Sequence, residues 1–215
     1  MKHYFLSVLL LLAAGFHYGC GDSKSGGNAG TIEQLFPLKY GNYWTYKVQG
    51  IDSTGDIKKE SFHSVEVHKN FDTLGHTVYR VFYDGSPADY FYQGNKIFNT
   101  LDLSLPILIY PMATGQSVIL NDTIYPNDPM SYYYDSTLKN VDRSILTCES
   151  QNEIVDLGFE KFTCVKFHLT RIYGTLPYEY NYSFWYALNK GKIKHEASYG
   201  NSLFYRETLT GYHVN

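Results

Sequence analysis

Of the eight histidines in this sequence, six lie beyond the first twenty residues, between residues 63 and 213, and are the candidate metal ligands. His63 and His68 are five positions apart, and on a β-strand that spacing places them on opposite faces. Glu66 and His68 share a face, but two ligands are fewer than a zinc site uses. Neither His-Glu-x-x-His nor a pair of Cys-x-x-Cys motifs occurs. We therefore expect no metal site and no cofactor.

Nucleophilic chemistry has no better support in the sequence. There is no Gly-x-Ser-x-Gly motif and no glycine-rich phosphate loop. Gly21-Asp22-Ser23 lies in a polar stretch with no strand before it, so it does not form a nucleophile elbow. The carboxylates are scattered, and no pair can be placed across a cleft. We expect no catalytic residues. If the protein were nevertheless a hydrolase, residues 101–130, which lack regular alternation, would be the place for its active site.

Cys148 and Cys164 are the two cysteines that remain when Cys20 is set aside. An even number of cysteines in an exported chain indicates a disulfide. Their midpoint is Asp156. If residues 144–170 form one simple hairpin that turns near Asp156-Leu157-Gly158, the two side chains face each other within bonding range. The sequence therefore predicts a Cys148–Cys164 disulfide.

The first nineteen residues have the layout of a secretory signal peptide. Lys2 provides a positive start, the stretch from Tyr4 to Phe16 is apolar apart from Ser7, and Gly19 precedes Cys20. The apolar stretch is shorter than the roughly 20 residues that a transmembrane helix needs. We predict that residues 1–19 are a signal peptide and that the protein is exported.

Gly19-Cys20 resembles the cleavage site of bacterial lipoprotein signals. The resemblance implies that the Cys20 thiol receives a diacylglycerol and that the protein is anchored to a membrane of the cell envelope without spanning it. His17 and Tyr18 differ from the aliphatic and small residues usual there. Plain cleavage with release and an uncleaved anchor therefore stay open as alternatives. Whether the protein faces the periplasm or belongs to the outer membrane stays open as well.

Composition and charge limit the structures and partners that the rest of the chain can have. Residues 20–30 are rich in Gly, Ser and Asn and predict a flexible tether, and residues 31–215 then form a single β domain. A hydrophobic content of 44% excludes wholesale disorder. The net charge of −3, with no basic run, argues against nucleic acid as a partner.

Alternation of apolar and polar residues predicts many short strands separated by Gly and Asn turns. Each predicted strand has one apolar face, formed for example by Trp44, Tyr46 and Val48, by Val65 and Val67, and by Tyr79, Val81 and Tyr83. Residues 101–130 contain four prolines and one probable strand, Ser117 to Leu120. No amphipathic helix exceeds about two turns. The pattern predicts an all-β protein, with at most a minor helix, built on one curved antiparallel sheet that forms a half-barrel or an open barrel.

Three segments, 36–46, 158–164 and 184–194, resemble an uncharacterised family of lipoproteins from Bacteroidota-type bacteria. They are FPLKYGNYWTY, GFEKFTC and FWYALNKGKIK. Such proteins are similar in fold to the half-barrel carriers of the lipoprotein-sorting system. The resemblance implies a curved sheet with an apolar concave face. It does not imply the sorting activity, because a fold does not carry a function with it.

We therefore expect a non-enzymatic envelope protein that binds an apolar small molecule or a partner protein on its curved sheet. A surface glycan-binding module is the alternative, and an envelope hydrolase is a weaker one. Trp44, Trp185 and the run Tyr132-Tyr133-Tyr134 are the candidate rings for stacking on sugars. The two tryptophans lie within alternating strands, so we expect them to pack in the core.

Overall fold

The computed structural model describes residues 30–73, 75–100, 102–126, 139–174 and 178–215. The signal sequence, Cys20 and Tyr132-Tyr133-Tyr134 lie outside these ranges. The predictions made for them are therefore left as predictions.

Twelve strands and one short helix make up the described part of the chain. The helix, α1, spans Ile32–Leu35. The strands are β1 Tyr43–Ile51, β2 Ile57–Thr73, β3 His76–Tyr83, β4 Ser86–Gln93, β5 Lys96–Asn99, β6 Asp102–Ile109, β7 Ser117–Pro126, β8 Lys139–Asp156, β9 Lys161–Gly174, β10 Tyr178–Ala187, β11 Gly191–Tyr199 and β12 Ser202–His213.

All twelve strands belong to one antiparallel sheet with the order β6-β5-β4-β3-β2-β1-β12-β11-β10-β9-β8-β7. The first six strands run outward from β1, and the last six return from the far edge until β12 pairs with β1. The two edge strands, β6 and β7, approach each other, so the sheet curls into a nearly closed barrel. The predicted fold class is confirmed.

Tight turns make this sequential pairing possible. Asp84 and Gly85 join β3 to β4, and both have positive φ angles, of 48° and 85°. Two such residues form the hairpin turn whose twist matches that of the flanking strands. Asp84 tolerates the strained conformation because its carboxylate accepts a hydrogen bond of 2.8 Å from the backbone N–H of Ser64.

Residues 102–126, the described part of the range 101–130, are more regular than the sequence predicts. They contain β6 and a β7 that extends beyond the predicted Ser117–Leu120 strand. The absence of firm alternation has a physical cause. β6 is an edge strand that contains Pro106, and an edge is where a strand tolerates a proline. The register between Ile119 and Asn121 also shifts, which breaks the alternation of β7.

The predicted pairing of Cys148 with Cys164 is wrong. Strands β8 and β9 do form a hairpin, but Asp156 pairs with Lys161, so the turn comes after the position that the cysteines require. Two register shifts in β8 displace the strands further, and Cys148 lies opposite Phe167 while Cys164 lies opposite Glu153. Both cysteines are free and buried, so the structure does not support the disulfide.

The core lies inside the barrel, and α1 closes one end of it. Thr31 caps the helix, with hydrogen bonds between the side chains and backbone N–H groups of Thr31 and Gln34 in both directions. Ile32 and Leu35 are 1% and 0% exposed. The backbone N–H of Asn189, in the β10–β11 turn, donates to the carbonyl of Gln34 over 2.6 Å and fastens the helix to the barrel. This short segment therefore acts as a plug.

Candidate functional site

The barrel contains a cavity of about 450 Å³ that is partly open to solvent. Its lining comes from both halves of the sheet and from residues 36–38, which follow the plug. Sites for small molecules in proteins are about 300–1,000 Å³, so this one has the size of a ligand pocket. We therefore take the cavity as the candidate functional site.

Most of the cavity wall is apolar. Val65 on β2, Val81 on β3 and Leu108 on β6 are buried and form one side of it. Leu169 and Phe184 contribute from β9 and β10. Alternation sends these side chains inward, because every second residue of a strand faces the same side. This is the apolar concave face that the family resemblance implies.

Four tyrosines add hydroxyl groups to the wall: Tyr46, Tyr83, Tyr90 and Tyr186. The hydroxyls of Tyr83 and Tyr90 lie 3.1 Å apart, and that of Tyr46 donates to the Lys192 carbonyl over 3.0 Å. Burial raises the pKa of Tyr83 and Tyr186 well above the ordinary value. These hydroxyls therefore stay protonated and serve as hydrogen-bond donors, not as bases.

The remaining side of the cavity is polar and is formed by Asn121, Asp142, Ser144 and Arg171 on the adjacent strands β7, β8 and β9. The Nε atom of Arg171 lies 3.6 Å from Oδ1 of Asp142, close enough for an ion pair. Oδ1 is buried, and no described residue donates a hydrogen bond to it. We call these four residues the polar wall.

A buried charge cluster adjoins the cavity at Lys192, which lines it. Glu207 on β12 is 2% exposed, and its Oε2 lies 2.5 Å from the Lys192 ammonium. His63 Nε2 lies 2.8 Å from Oε1, and His195 Nδ1 lies 3.5 Å from Oε2. Burial alone would raise the pKa of Glu207. The hydrogen bonds from His195 and His63 and the charge of Lys192 outweigh burial and hold the pKa well below its usual range.

Neither histidine of this cluster is arranged with other side chains as a metal centre. Among the described residues, no group of three or more His, Cys, Asp or Glu side chains is placed to hold a metal ion. The Lys192 ammonium stands where a cation would neutralise Glu207. His68, as predicted, faces away from His63 and contacts Glu66 over 3.2 Å at the surface. The chemistry that the cluster can perform is charge compensation inside the barrel.

The two tryptophans are both 5% exposed, as the alternation of their strands predicts. The Trp44 indole N–H donates to the Lys190 carbonyl over 2.6 Å. The Trp185 indole donates to Glu153 over 2.7 Å, and the ammonium groups of Lys166 and Lys194 lie 5.0 and 4.5 Å from its ring centre. Neither ring therefore lies open at the outer surface, and Trp44 instead lines the cavity.

The two cysteines are poorly suited to act as nucleophiles. Burial raises the pKa of the Cys148 thiol, and it raises the pKa of the Cys164 thiol to about 12. A thiol reacts as its thiolate, which at neutral pH is then scarce. Both side chains pack in the hydrophobic core.

Comparisons with known proteins add fold neighbours. No family model matches the chain, and no curated protein matches it. A crystal structure of a proposed lipoprotein from Parabacteroides distasonis is 18% identical, with a TM-score of 0.42, over 83% of this chain and 98% of that one. A crystal structure of a proposed exported protein with a YmcC-like fold from Bacteroides fragilis is 14% identical, with a TM-score of 0.44, over the same two shares. Both come from the group of bacteria whose lipoproteins the three quoted segments resemble.

The sequence reasoning missed the polar residues inside the barrel. Glu207 lies between Tyr205 and Leu209 on one alternating face, so a charge interrupting an apolar face was the available signal. Asp142 and Arg171 gave no comparable signal, because they come together only through the register of β8 with β9. Among the described residues, no helix is long and apolar enough to cross a membrane.

Proposed function

We propose that the protein is an exported envelope protein, anchored through a lipid on Cys20, that binds an apolar or amphipathic small molecule inside its barrel. Export and the anchor rest on the N-terminal sequence and on the lipoprotein resemblance. Solved neighbours described as a lipoprotein and as an exported protein agree with that part. Binding rests on the cavity.

The observation that carries the binding proposal is an apolar cavity of about 450 Å³ in the middle of an otherwise packed barrel. Protein interiors are close-packed, and voids much larger than a water molecule are few. Lost dispersion contacts make a large apolar void costly, and a ligand that fills it recovers them. Tyr83 and Tyr90 offer such a ligand hydroxyl groups for hydrogen bonding, and Lys192 offers an ammonium group.

The glycan-binding alternative loses support from the burial of Trp44 and Trp185. Surface glycans stack on aromatic faces at the outer surface, and neither ring lies there. A concave pocket of this size suits a small molecule better than a partner protein. The small-molecule version is therefore the one that the geometry favours.

The test is a filled-cavity variant with a matched control on the same strand. Leu120 lines the cavity, whereas its neighbour Ile119 is 59% exposed. Leu120→Trp should occupy part of the cavity and weaken binding of a fluorescent apolar probe by at least about tenfold, and Ile119→Trp should leave it unchanged. Native mass spectrometry of the gently purified protein should show a bound apolar molecule.

Two results would reject the proposal. One is a protein that carries no small molecule and does not bind the probe. The other is a probe that binds equally well to wild type and to Leu120→Trp, since the cavity would then not be the binding site.

A further inference from the structure

The polar wall is built as a row across three strands, and it singles out one atom. Asn121 pairs directly with Ser144 across β7 and β8, and Ser144 pairs with Arg171 across β8 and β9. Directly paired residues face the same side of a sheet, so these three side chains form a line facing the cavity. Asp142, two positions from Ser144, lies next to that line. Its Oδ1 atom is buried and accepts no hydrogen bond from a described residue.

Among the residues that the structure describes, Oδ1 has a charge partner but no hydrogen-bond donor. Arg171 Nε at 3.6 Å compensates the carboxylate charge but lies beyond hydrogen-bond distance. An unsatisfied buried acceptor is costly, and a hydrogen bond to a charged group is stronger than one between neutral groups. A ligand group that donates a hydrogen to Asp142 therefore gains more here than elsewhere in the cavity.

The apolar part of the cavity wall determines the rest of the ligand. Val65, Val81 and Leu108 offer no hydrogen-bonding side chain, so the body of the ligand is apolar. A ligand carboxylate would place a second negative charge against Asp142, and like charges at close range repel. A ligand ammonium would compete with Arg171 for the same oxygen.

We propose that the ligand is an uncharged amphiphile with a hydrogen-bond-donating head, a hydroxyl or an amide N–H, that binds at Asp142, and with an apolar chain against the valine and leucine side of the cavity. This inference rests on the proposed function, because it names the ligand class of the same cavity. Asp142 is the specificity-determining residue. Ser144 and Asn121, which can both donate and accept, contact the other lone pairs and hydrogens of the head.

The experiment measures displacement of a fluorescent apolar probe from the full-length protein by three molecules of equal chain length. They are a long-chain alcohol, its methyl ether and the corresponding fatty acid at a pH where it is ionised. The ether keeps the oxygen as an acceptor but has no hydrogen to donate. The alcohol should bind roughly tenfold or more tightly than the ether, and more tightly than the ionised acid.

A pair of matched variants assigns the preference to Asp142. Asp142→Asn removes the charged acceptor and should reduce the alcohol-over-ether ratio roughly tenfold. Asp122→Asn is the control. Asp122 also pairs with an arginine of the neighbouring strand, Arg143, over 2.9 Å, but it is exposed and does not line the cavity. This change should leave the ratio as it is.

Several outcomes would overturn the inference and leave the proposed function standing. Equal affinities for alcohol and ether would show that no donor is recognised. Tightest binding of the ionised acid would show that Arg171 recognises an anion. An undiminished ratio in Asp142→Asn would place the recognition elsewhere. Failure of the probe and of all three molecules to bind would instead reject the proposed function. If Asp142→Asn does not fold, the wild-type series and a Ser144→Ala variant test the inference instead. Ser144→Ala should lower the same alcohol-over-ether ratio.

Discussion

At the scale of single residues, Glu207 shows how the barrel tolerates a buried charge. Three groups from two other strands, His63, Lys192 and His195, surround its carboxylate. Lys192 also lies over the Tyr46 ring, 4.8 Å from the ring centre, so the ammonium is held by the ring as well as by the carboxylate. Removing the carboxylate leaves a half-buried ammonium facing an apolar interior.

Glu207→Gln should therefore lower the free energy of unfolding by about 3 kcal/mol, because breaking a buried pair leaves an uncompensated charge. Chemical denaturation measures the change. Glu66→Gln is the control, since Glu66 also contacts a histidine but is about half exposed, and its loss should cost less than about 1 kcal/mol. Similar costs for the two variants would contradict the assigned role of Glu207.

The same carboxylate predicts how stability depends on pH. Its pKa is lowered in the folded protein, so it binds a proton more weakly there than in the unfolded chain, where the pKa is about 4.3. Its contribution is thus complete above about pH 5 and is lost as the pH falls toward the folded pKa. The stability difference between wild type and Glu207→Gln, measured by denaturation from pH 7 downward, should shrink below about pH 4. A difference that stays constant to the acid limit would contradict this.

Whether the sequence could predict these contacts depends on how far they require knowledge of strand pairing. The alternation of β12 places Glu207 on the face of Leu209, which is readable from the sequence. The contacts of His63 and His195 with Glu207 are not readable from the sequence. They depend on the register of β12 with β11 and with β1, and on that of β1 with β2. The polar wall could not be predicted from the sequence for the same reason, since Asn121 and Arg171 lie about fifty positions apart in the chain.

At the scale of elements, α1 matters more than its length of four residues suggests. A helix this short has almost no stability of its own, because nucleation is unfavourable. Its stability comes from Thr31 as a cap and from Leu35, which is buried completely against the barrel. Phe36, which directly follows it, lines the cavity, so the plug also positions part of the candidate site.

Leu35→Ala should lower the free energy of unfolding by roughly 2–5 kcal/mol, because a fully buried leucine leaves a cavity when it is truncated. It should also weaken binding of the apolar probe, since Phe36 loses its support. Glu33→Ala, an exposed change in the same helix, should alter both quantities little. Thermal unfolding and probe titration of the two variants give the comparison. A stable Leu35→Ala with unchanged probe binding would show that α1 neither closes nor shapes the barrel.

The elements that the sequence predicted well are those with unbroken alternation, such as β1 with Trp44 and β3 with Val81 on its buried face. The course of β8 is harder to read, because register shifts near Ser150 interrupt the period of two. The wrong cysteine pairing has the same origin. A simple symmetric hairpin ignores bulges, and each bulge moves one strand along its partner.

At the scale of the whole molecule, the cavity exists because the two halves of the sheet meet. β1 and β12 join the halves in the middle of the sheet, and β6 and β7 come together at its two edges. Val81 from the first half and Leu169 from the second thereby face one cavity. The sequence predicted the curvature and the class of fold. The volume of the cavity depends on how closely the edges approach, and local patterns do not encode that distance.

The place of the whole molecule in the cell envelope leads to a last prediction. Protein isolated from membranes of its native host should have the mass of residues 20–215 plus acyl groups, because Cys20 is the predicted attachment site. Cys20→Ala should yield no acylated form, whereas Ser23→Ala, a change of the same kind three positions later, should leave acylation intact. Intact-mass spectrometry of the membrane and soluble fractions makes the measurement. A wild-type protein without acyl groups in the soluble fraction would mean that His17 and Tyr18 prevent lipoprotein processing, and the barrel would then act as a released carrier.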